Sequence, residues 1–254
     1  MKNAIFITVR TGSSRLPKKC LLEIRGIPVV VHLINRLKRS QLADGIILCT
    51  TFNPEDDILC DIAAKEGIEF FRGSVQDKLE RWLKAAEKYD VEFFVTADGD
   101  DLFCEPELID LAFAQYEVEH PDFIEGKDLI CGAFTYGIKT AALEKVCQIK
   151  ATSDTEMMWV YFKDTGLFKV QELKDVPQIF RRPEIRMTLD YADDFKFFKK
   201  ITEELSDKKT DFNLRDIVQY LDKYPEVIKI NQYLQEEFLE NQRKKTKLVL
   251  KQEG

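Results

Sequence analysis

Residues 9–21 read VRTGSSRLPKKCL and set Arg10, Arg15, Lys18 and Lys19 beside Gly12, Ser13 and Ser14 in one loop. A plain turn needs Gly and Ser but not this charge. Arginine offers a planar fork to phosphate oxygens and lysine a point charge, and backbone N–H groups around Gly12 and Ser13 complete a cradle for an anion. A solvated basic loop fits the same stretch equally well when it is read alone. The loop carries neither GxxxxGK[ST] nor GxGxxG, so it is not a P-loop or a dinucleotide fingerprint. A second cluster, TADGDD, sets Asp98, Asp100 and Asp101 around Gly99. Carboxylates at a strand end suit Mg2+, a hard ion that takes oxygen ligands and is commonly shared with substrate phosphates. At least one of Asp98 and Asp101 is expected to act instead as a turn or N-cap residue for a helix beginning near Pro106. A third stretch, RRPEIRMTLDYADD, again ends a predicted strand in an acid, Asp190. Two strand ends that each deliver an Asp, together with a basic loop, make a coherent nucleotide, metal and phosphate reading.

Holding these groups requires a particular scaffold. Residues 4–9, AIFITV, form a continuous β-rich run before the basic loop, and VVVHLINRLKRS after Pro28 repeats its apolar residues at helical spacing. GIILCTT is a second buried strand. NPEDDILCDIAAKEG reads as a helix with Asn53 as N-cap, Pro54 in the first turn and Gly67 just past the end. IEFFRGS is a third strand, followed by an amphipathic helix around 79–89, and VEFFVTADGDD is a fourth that ends in acids. Strands buried on both faces and alternating with helices predict an α/β fold with a doubly wound, mostly parallel sheet. Ligands of such sheets bind beyond the carboxyl ends of the strands, so Arg10, Arg15 and Lys19 are expected near Asp98, Asp100 and Asp101.

The rhythm changes after about residue 125. LICGAFTYGIKTAALEKV reads as strand then helix, SDTEMMWVYFKDTG as a helix capped by Ser153, and LFKVQEL and EIRMTLD as two more strands. No Gly/Ser/Pro-rich linker intervenes. The expected organisation is one domain over 1–230 with a small inserted or appended lobe within about 125–185, followed by a charged helix or tail over 231–254.

Composition bounds the partners. The 254 residues are 44% hydrophobic and 33% charged, enough for a substantial core, and the net charge of −7 argues against a general nucleic-acid binder. The six cysteines show no CxxC spacing and are read as reduced core thiols. No apolar run reaches the roughly 18 residues of a membrane span, and the N-terminal run is too short for a signal peptide, so a soluble cytoplasmic protein without membrane partners is expected.

The motifs VRTGSSRLPKKCL, FRGSVQDKLERW, GDDLFCEPELID, TSDTEMM and MTLDYADDF resemble, in order across roughly 3–205, those of the CMP-Kdo and CMP-sialate synthetase superfamily, more closely its SpsF-type cytidylyltransferases. The resemblance implies a Rossmann-like nucleotidyltransferase fold and transfer of CMP from CTP to a sugar-like acceptor with loss of pyrophosphate. It implies that Arg10, Ser13, Arg15 and Lys19 hold the CTP phosphates and that Asp100 and Asp190 bind Mg2+. Arg10, Lys19 and Asp100 are then the catalytic set. Gly12, Arg72, Ser74, Lys78 and Asp98 are further nucleotide-binding candidates, and Glu156 lies in the acceptor lobe. A 3-deoxy-2-keto sugar acid needs a partner for its carboxylate, for which Arg181, Arg182 and Arg186 are candidates. The resemblance also implies a homodimer, for which MMWVYF around Trp159 offers an apolar patch; a buried helix face explains that patch equally. Lys18, Thr8, Val9, Leu102 and Met157 depart from the family pattern. His32 and His120 are read as structural and exposed, and no serine or cysteine has an evident base partner, so a covalent nucleophile is not expected. Two other readings stay open: a pyrophosphorylase acting on a sugar phosphate or alditol phosphate, and a non-catalytic nucleotide-binding relative.

Overall fold

Alternate residues along the first strand face opposite ways, and both faces are apolar. Ile5 and Ile7 enter one hydrophobic cluster, Ala4 and Phe6 another, and all four are fully buried. A strand of this kind needs helices on both sides. The computed structural model, which describes residues 1–13 and 15–251, has that three-layer arrangement.

The strands are β1 (Asn3–Thr8), β2 (Glu23–Ile24), β3 (Ile27–Pro28), β4 (Gly45–Thr51), β5 (Glu69–Gly73), β6 (Phe93–Asp98), β7 (Phe123–Glu125), β8 (Tyr136–Lys139) and β9 (Val170–Glu172). The helices are α1 (Val29–Leu37), α2 (Asp57–Lys65), α3 (Lys78–Tyr89), α4 (Pro106–Glu119), α5 (Thr140–Ile149), α6 (Val160–Lys163), α7 (Ala192–Ser206), α8 (Leu214–Lys223) and α9 (Leu234–Lys245). Seven strands form one sheet in the order β5-β4-β1-β6-β8-β7-β9, and β2 and β3 form a small separate hairpin. β5, β4, β1 and β6 are parallel; β8 runs antiparallel to both β6 and β7. The chain reaches β7 first and doubles back into the gap beside β6, a reversal that needs no crossover helix. The sheet is therefore the α/β arrangement expected from the sequence, with one antiparallel strand inside its distal half. Helices α1, α2, α4, α7 and α8 cover one face, and α3, α5 and α6 cover the other.

Two local expectations are corrected, and one left open, the MMWVYF patch, is decided. Residues 185–190 form no strand of the sheet. They make a single bridge between Arg186 and Cys131, and the Leu189 N–H donates to the Asp100 carbonyl at 2.9 Å. The segment thus lies across the end of β6. The helix expected from Ser153 shrinks to α6, because Thr155 is held elsewhere: its hydroxyl donates to Asp77 and accepts the Leu79 N–H. Met158, Val160, Tyr161 and Phe162 are buried inside this chain, so MMWVYF is a core face and not an exposed apolar patch. Toward the C-terminus, Asn231 is fully buried and α9 follows it; beyond that helix, Lys251 and Ala151 exchange backbone bonds with Ile149 and Val249. Among the described residues no helix is long and apolar enough to cross a membrane.

Candidate active site

β1 has β4 and β5 on one side and β6 on the other, so the connections leaving β1 and β6 diverge and open a crevice at the carboxyl ends of the strands. Thr8 pairs in register with Asp98, which brings the basic loop and the acidic turn to the same edge. Gly99 permits the approach: a Cβ there would lie 2.6 Å from Val9 Cβ. Gly132 has φ +85° and leaves room for the 185–190 segment, since a Cβ would fall 2.0 Å from the Met187 carbonyl oxygen.

Lys19 opens a short 3-10 turn, and its ammonium lies 2.5 Å from Asp100 Oδ2 and 3.0 Å from Asp190 Oδ1. Arg15 also donates to Asp190 Oδ1. Lys78, at the start of α3, donates to Asp98 at 3.0 Å and lies over the ring of Trp82, whose Nε1–H donates to Thr8 Oγ1 at 2.8 Å. Three acids from two separate segments thus meet three cations from two others. The carboxylate oxygens of Asp98, Asp100 and Asp101 come within 4.8 Å of one another, an all-oxygen set of the kind a hard divalent cation takes. Asp190 lies outside that trio and is joined to it through Lys19. Neither Asp98 nor Asp101 caps α4; Glu105 does, accepting the Glu107 N–H, while the Asp101 N–H closes a turn onto the Asp98 carbonyl.

Burial penalises every charge here, and the partners decide the outcome. Burial pulls the Lys19 ammonium down, but Asp100 and Asp190 outweigh it and raise its pKa. Burial pushes the Asp190 carboxyl up, but Lys19 and Arg15 together hold it below the ordinary carboxylate value. Asp100 shares the same ammonium yet is raised, because burial dominates and the charges of Asp190 and Asp98 add to it against the pull of Lys19. Asp101, buried beside Asp100 and Asp98, is raised furthest.

The remaining candidates divide. Arg10 is exposed and donates only a long 3.4 Å bond to the Val75 carbonyl, and Gly12 faces open space. Ser13 Oγ accepts the Leu16 N–H at 3.5 Å, a weak turn contact. Ser74 Oγ accepts the Asp77 N–H, fixing the turn into α3. Arg72 bridges the end of β4, donating to the carbonyls of Thr51 and Asn53 and pairing with Asp57. Glu156 is exposed and lies 3.7 Å from Lys245 of α9. The three arginines expected at an acceptor are engaged by protein groups: Arg181 with the Lys127 carbonyl, Arg182 with Glu184 and Asp222, and Arg186, fully buried, with Asp190 and Asp194. Arg186 therefore has no surface to offer a substrate.

Asp56 was not singled out by the sequence reading. It is buried, and its Oδ1 accepts both the backbone N–H and the hydroxyl of Thr11 at 2.7 Å, while Oδ2 takes the Thr51 hydroxyl. Burial opposes its charge, but these donors keep its pKa below the ordinary value. The start of the basic loop is thereby tied to the end of β4. The available signal was Thr11 itself, a small hydroxyl with no helix to cap.

Comparison with known proteins bears on the family of the chain. The chain is 26% identical to the spore coat polysaccharide biosynthesis protein SpsF of Bacillus subtilis over 89% of this chain and 97% of that one. It is 32% identical to an uncharacterized protein of Methanocaldococcus jannaschii, covering 91% and 95% of the two chains. A 3-deoxy-manno-octulosonate cytidylyltransferase of Chloroherpeton thalassium is 28% identical over 71% of each. The solved structure of a cytidylyltransferase from Leptospira borgpetersenii superposes with a TM-score of 0.81 at 26% identity, covering 90% of this chain and 97% of that one. With a cytidylyltransferase family model matching residues 4–246, this chain belongs to the cytidylyltransferase family.

Proposed function

We propose that the protein transfers CMP from CTP to a hydroxyl of a 3-deoxy-2-keto sugar acid and releases pyrophosphate, with Mg2+ bound at the acid cluster, in the synthesis of a surface glycan. The acceptor oxygen attacks the α-phosphorus, the bond from that phosphorus to the oxygen bridging to the β-phosphorus breaks, and the hydroxyl proton is lost to solvent or a weak base. Charge therefore grows on pyrophosphate, and fixed cations aimed at it stabilise the transition state.

The observation that carries this reading is Lys19 held between Asp100 and Asp190. One element that supplies cations and two that supply acids converge at the ends of β1 and β6. Lys19, Arg15 and Arg10, with the Ser13 hydroxyl and the open backbone at Gly12, supply donors for the triphosphate; Lys78, Ser74 and Asp98 border the nucleotide on the α3 side. Arg72, tied down across the end of β4, contributes as a support of that wall. Asp100 with Asp98 or Asp190 holds the metal, which supplies charge neutralisation at the phosphates and lowers the pKa of a bound oxygen. The sugar-acid class is supported by the C. thalassium relative's name. As in the resembling synthetases, a homodimer is the proposed assembly.

The test is pyrophosphate release with Mg2+, each of CTP, UTP, ATP and GTP, and 3-deoxy-manno-octulosonate as acceptor. Turnover with CTP alone supports the reading. A sugar phosphate or alditol phosphate is the second acceptor class to be tried. Turnover restricted to those acceptors makes the protein a pyrophosphorylase, and nucleotide binding without turnover on either acceptor class makes it a non-catalytic nucleotide-binding relative.

A further inference from the structure

Asp190 is held from behind by groups that no candidate role accounts for. Arg186 Nη2 donates to Asp190 Oδ2 at 3.3 Å, leaving Oδ1 as the oxygen that meets Lys19 and Arg15. Arg186 itself is fixed by Asp194, Nε to Oδ1 at 2.9 Å and Nη2 to Oδ2 at 3.1 Å. Asp194 Oδ2 also accepts the backbone N–H groups of Asp190 and Tyr191, both at 2.9 Å, so the same carboxylate orients the main chain that carries Asp190. Asn231 closes the assembly: its Nδ2 donates to Asp194 Oδ1 at 2.8 Å and to the Arg186 carbonyl at 3.1 Å. Gln235 and Phe238 of α9 complete the enclosure, the former accepting from Arg186 Nη1 and the latter stacking its ring 4.5 Å from the guanidinium. Arg186, Asp194 and Asn231 are all 0% exposed.

We infer that Arg186, Asp194 and Asn231 form a buried brace of positioning residues that presents Asp190 to the site with Oδ1 outward, so that the segment leading into α9 belongs to the catalytic architecture. The inference rests on the proposed assignment of Asp190 as a metal acid. Arg186 and Asp194 are two charges buried together, and Asn231 Oδ1 beside them has no hydrogen-bond partner among the described residues, a costly way to gain stability alone, since apolar replacements are often as stable. Groups that fix a metal-binding carboxylate from behind typically alter metal affinity or activity about 10–100-fold when removed.

The test compares full-length wild type with Asn231→Ala and Arg186→Met. CTP affinity is measured by calorimetry in EDTA and again in Mg2+, and the ratio gives the metal-dependent gain. Circular dichroism and thermal melts establish that each variant is folded. Asn231→Ala removes one amide and is the milder change, which keeps the test decisive where Arg186→Met does not fold. The expected result is CTP affinity unchanged in EDTA and a metal-dependent gain reduced about tenfold or more. A gain equal to wild type in folded Asn231→Ala overturns the brace, and the network is then structural only. A wild-type protein with no metal-dependent gain overturns the metal assignment and the brace with it. An Arg186 that contacted the acceptor would leave the gain intact and raise the acceptor KM, which also refutes the positioning role.

Discussion

Lys19 Nζ lies 2.5 Å from Asp100 Oδ2, and the same ammonium reaches Asp190. Two of the cations proposed for the triphosphate, Lys19 and Arg15, are thus paired to acids proposed for the metal. A triphosphate arriving alone draws Lys19 away and leaves Asp100 and Asp190 uncompensated; a metal arriving alone must sit beside an ammonium. Metal and nucleotide together exchange the partners and satisfy both sets. Positive coupling follows, and by linkage it is equal in both directions. Calorimetry should show CTP binding more tightly in Mg2+ than in EDTA. Lys19→Gln should weaken CTP binding about tenfold or more through loss of charge-assisted bonds to phosphate. In the same variant Mg2+ should bind more tightly when nucleotide is absent. Metal binding that is unchanged in the variant refutes the exchange.

Asp101 sets a pH dependence of the opposite sign to that of Asp190. Its folded pKa is raised well above the ordinary value by burial and by Asp100 and Asp98, so its protonated form favours the fold. Its contribution is fully present below the unfolded pKa and is lost as pH rises through the folded pKa. Asp190, with its folded pKa lowered, contributes above the unfolded value and loses that contribution as pH falls. In EDTA, Asp101→Asn should raise the thermal midpoint relative to wild type more at pH 8 than near pH 4, where the folded wild type is protonated at this position. A midpoint difference that is the same at both pH values contradicts the assignment.

The sequence made the first half of the fold legible because its strands are apolar on both faces and its helices begin after evident Pro or capping residues. The meeting of Lys19 with Asp100 followed from one topological rule about strand ends. The second half was harder for physical reasons. Met187, Thr188 and Leu189 have strand-like composition, yet their backbone bonds go to the Asp100 and Cys131 loops, a tertiary arrangement that no local pattern encodes. Asn231 sits before a charged stretch and gives no hydrophobic signal, so its burial against Asp194 could not be read from spacing. Arg186 illustrates the same limit: an arginine in a polar motif looks like a ligand contact until its burial is known.

Gly132 should tolerate no side chain. A Cβ at this position would stand 2.0 Å from the Met187 carbonyl oxygen and 2.9 Å from Asp101 Oδ1, and the φ of +85° adds strain of about 1–3 kcal/mol for an L-residue. Relief requires the 185–190 segment to move away from the acid cluster. Gly132→Ala should therefore lower the thermal midpoint by several degrees and reduce the metal-dependent gain in CTP affinity. Gly12→Ala, with nothing within 4 Å of the added carbon, serves as the stability control and should melt close to wild type. Equal midpoints for the two variants refute the argument.

Lys18 occupies the position where the resembling family carries glycine, and its φ of +52° is the left-handed conformation that a glycine there adopts without strain. Left-handed backbone costs an L-residue roughly 1–2 kcal/mol, whereas glycine loses more entropy on folding, worth about 0.5–1 kcal/mol. The two terms oppose, and the conformational one is the larger. Lys18→Gly should leave the thermal midpoint unchanged or slightly raised, the reverse of what a glycine substitution does inside a helix or strand. Since the Lys18 side chain is exposed and makes no recorded ion pair among the described residues, CTP binding should fall far less than in Lys19→Gln. A clear loss of stability means that the loop does not hold this turn, and a loss of CTP affinity equal to that of Lys19→Gln makes Lys18 a phosphate ligand in its own right.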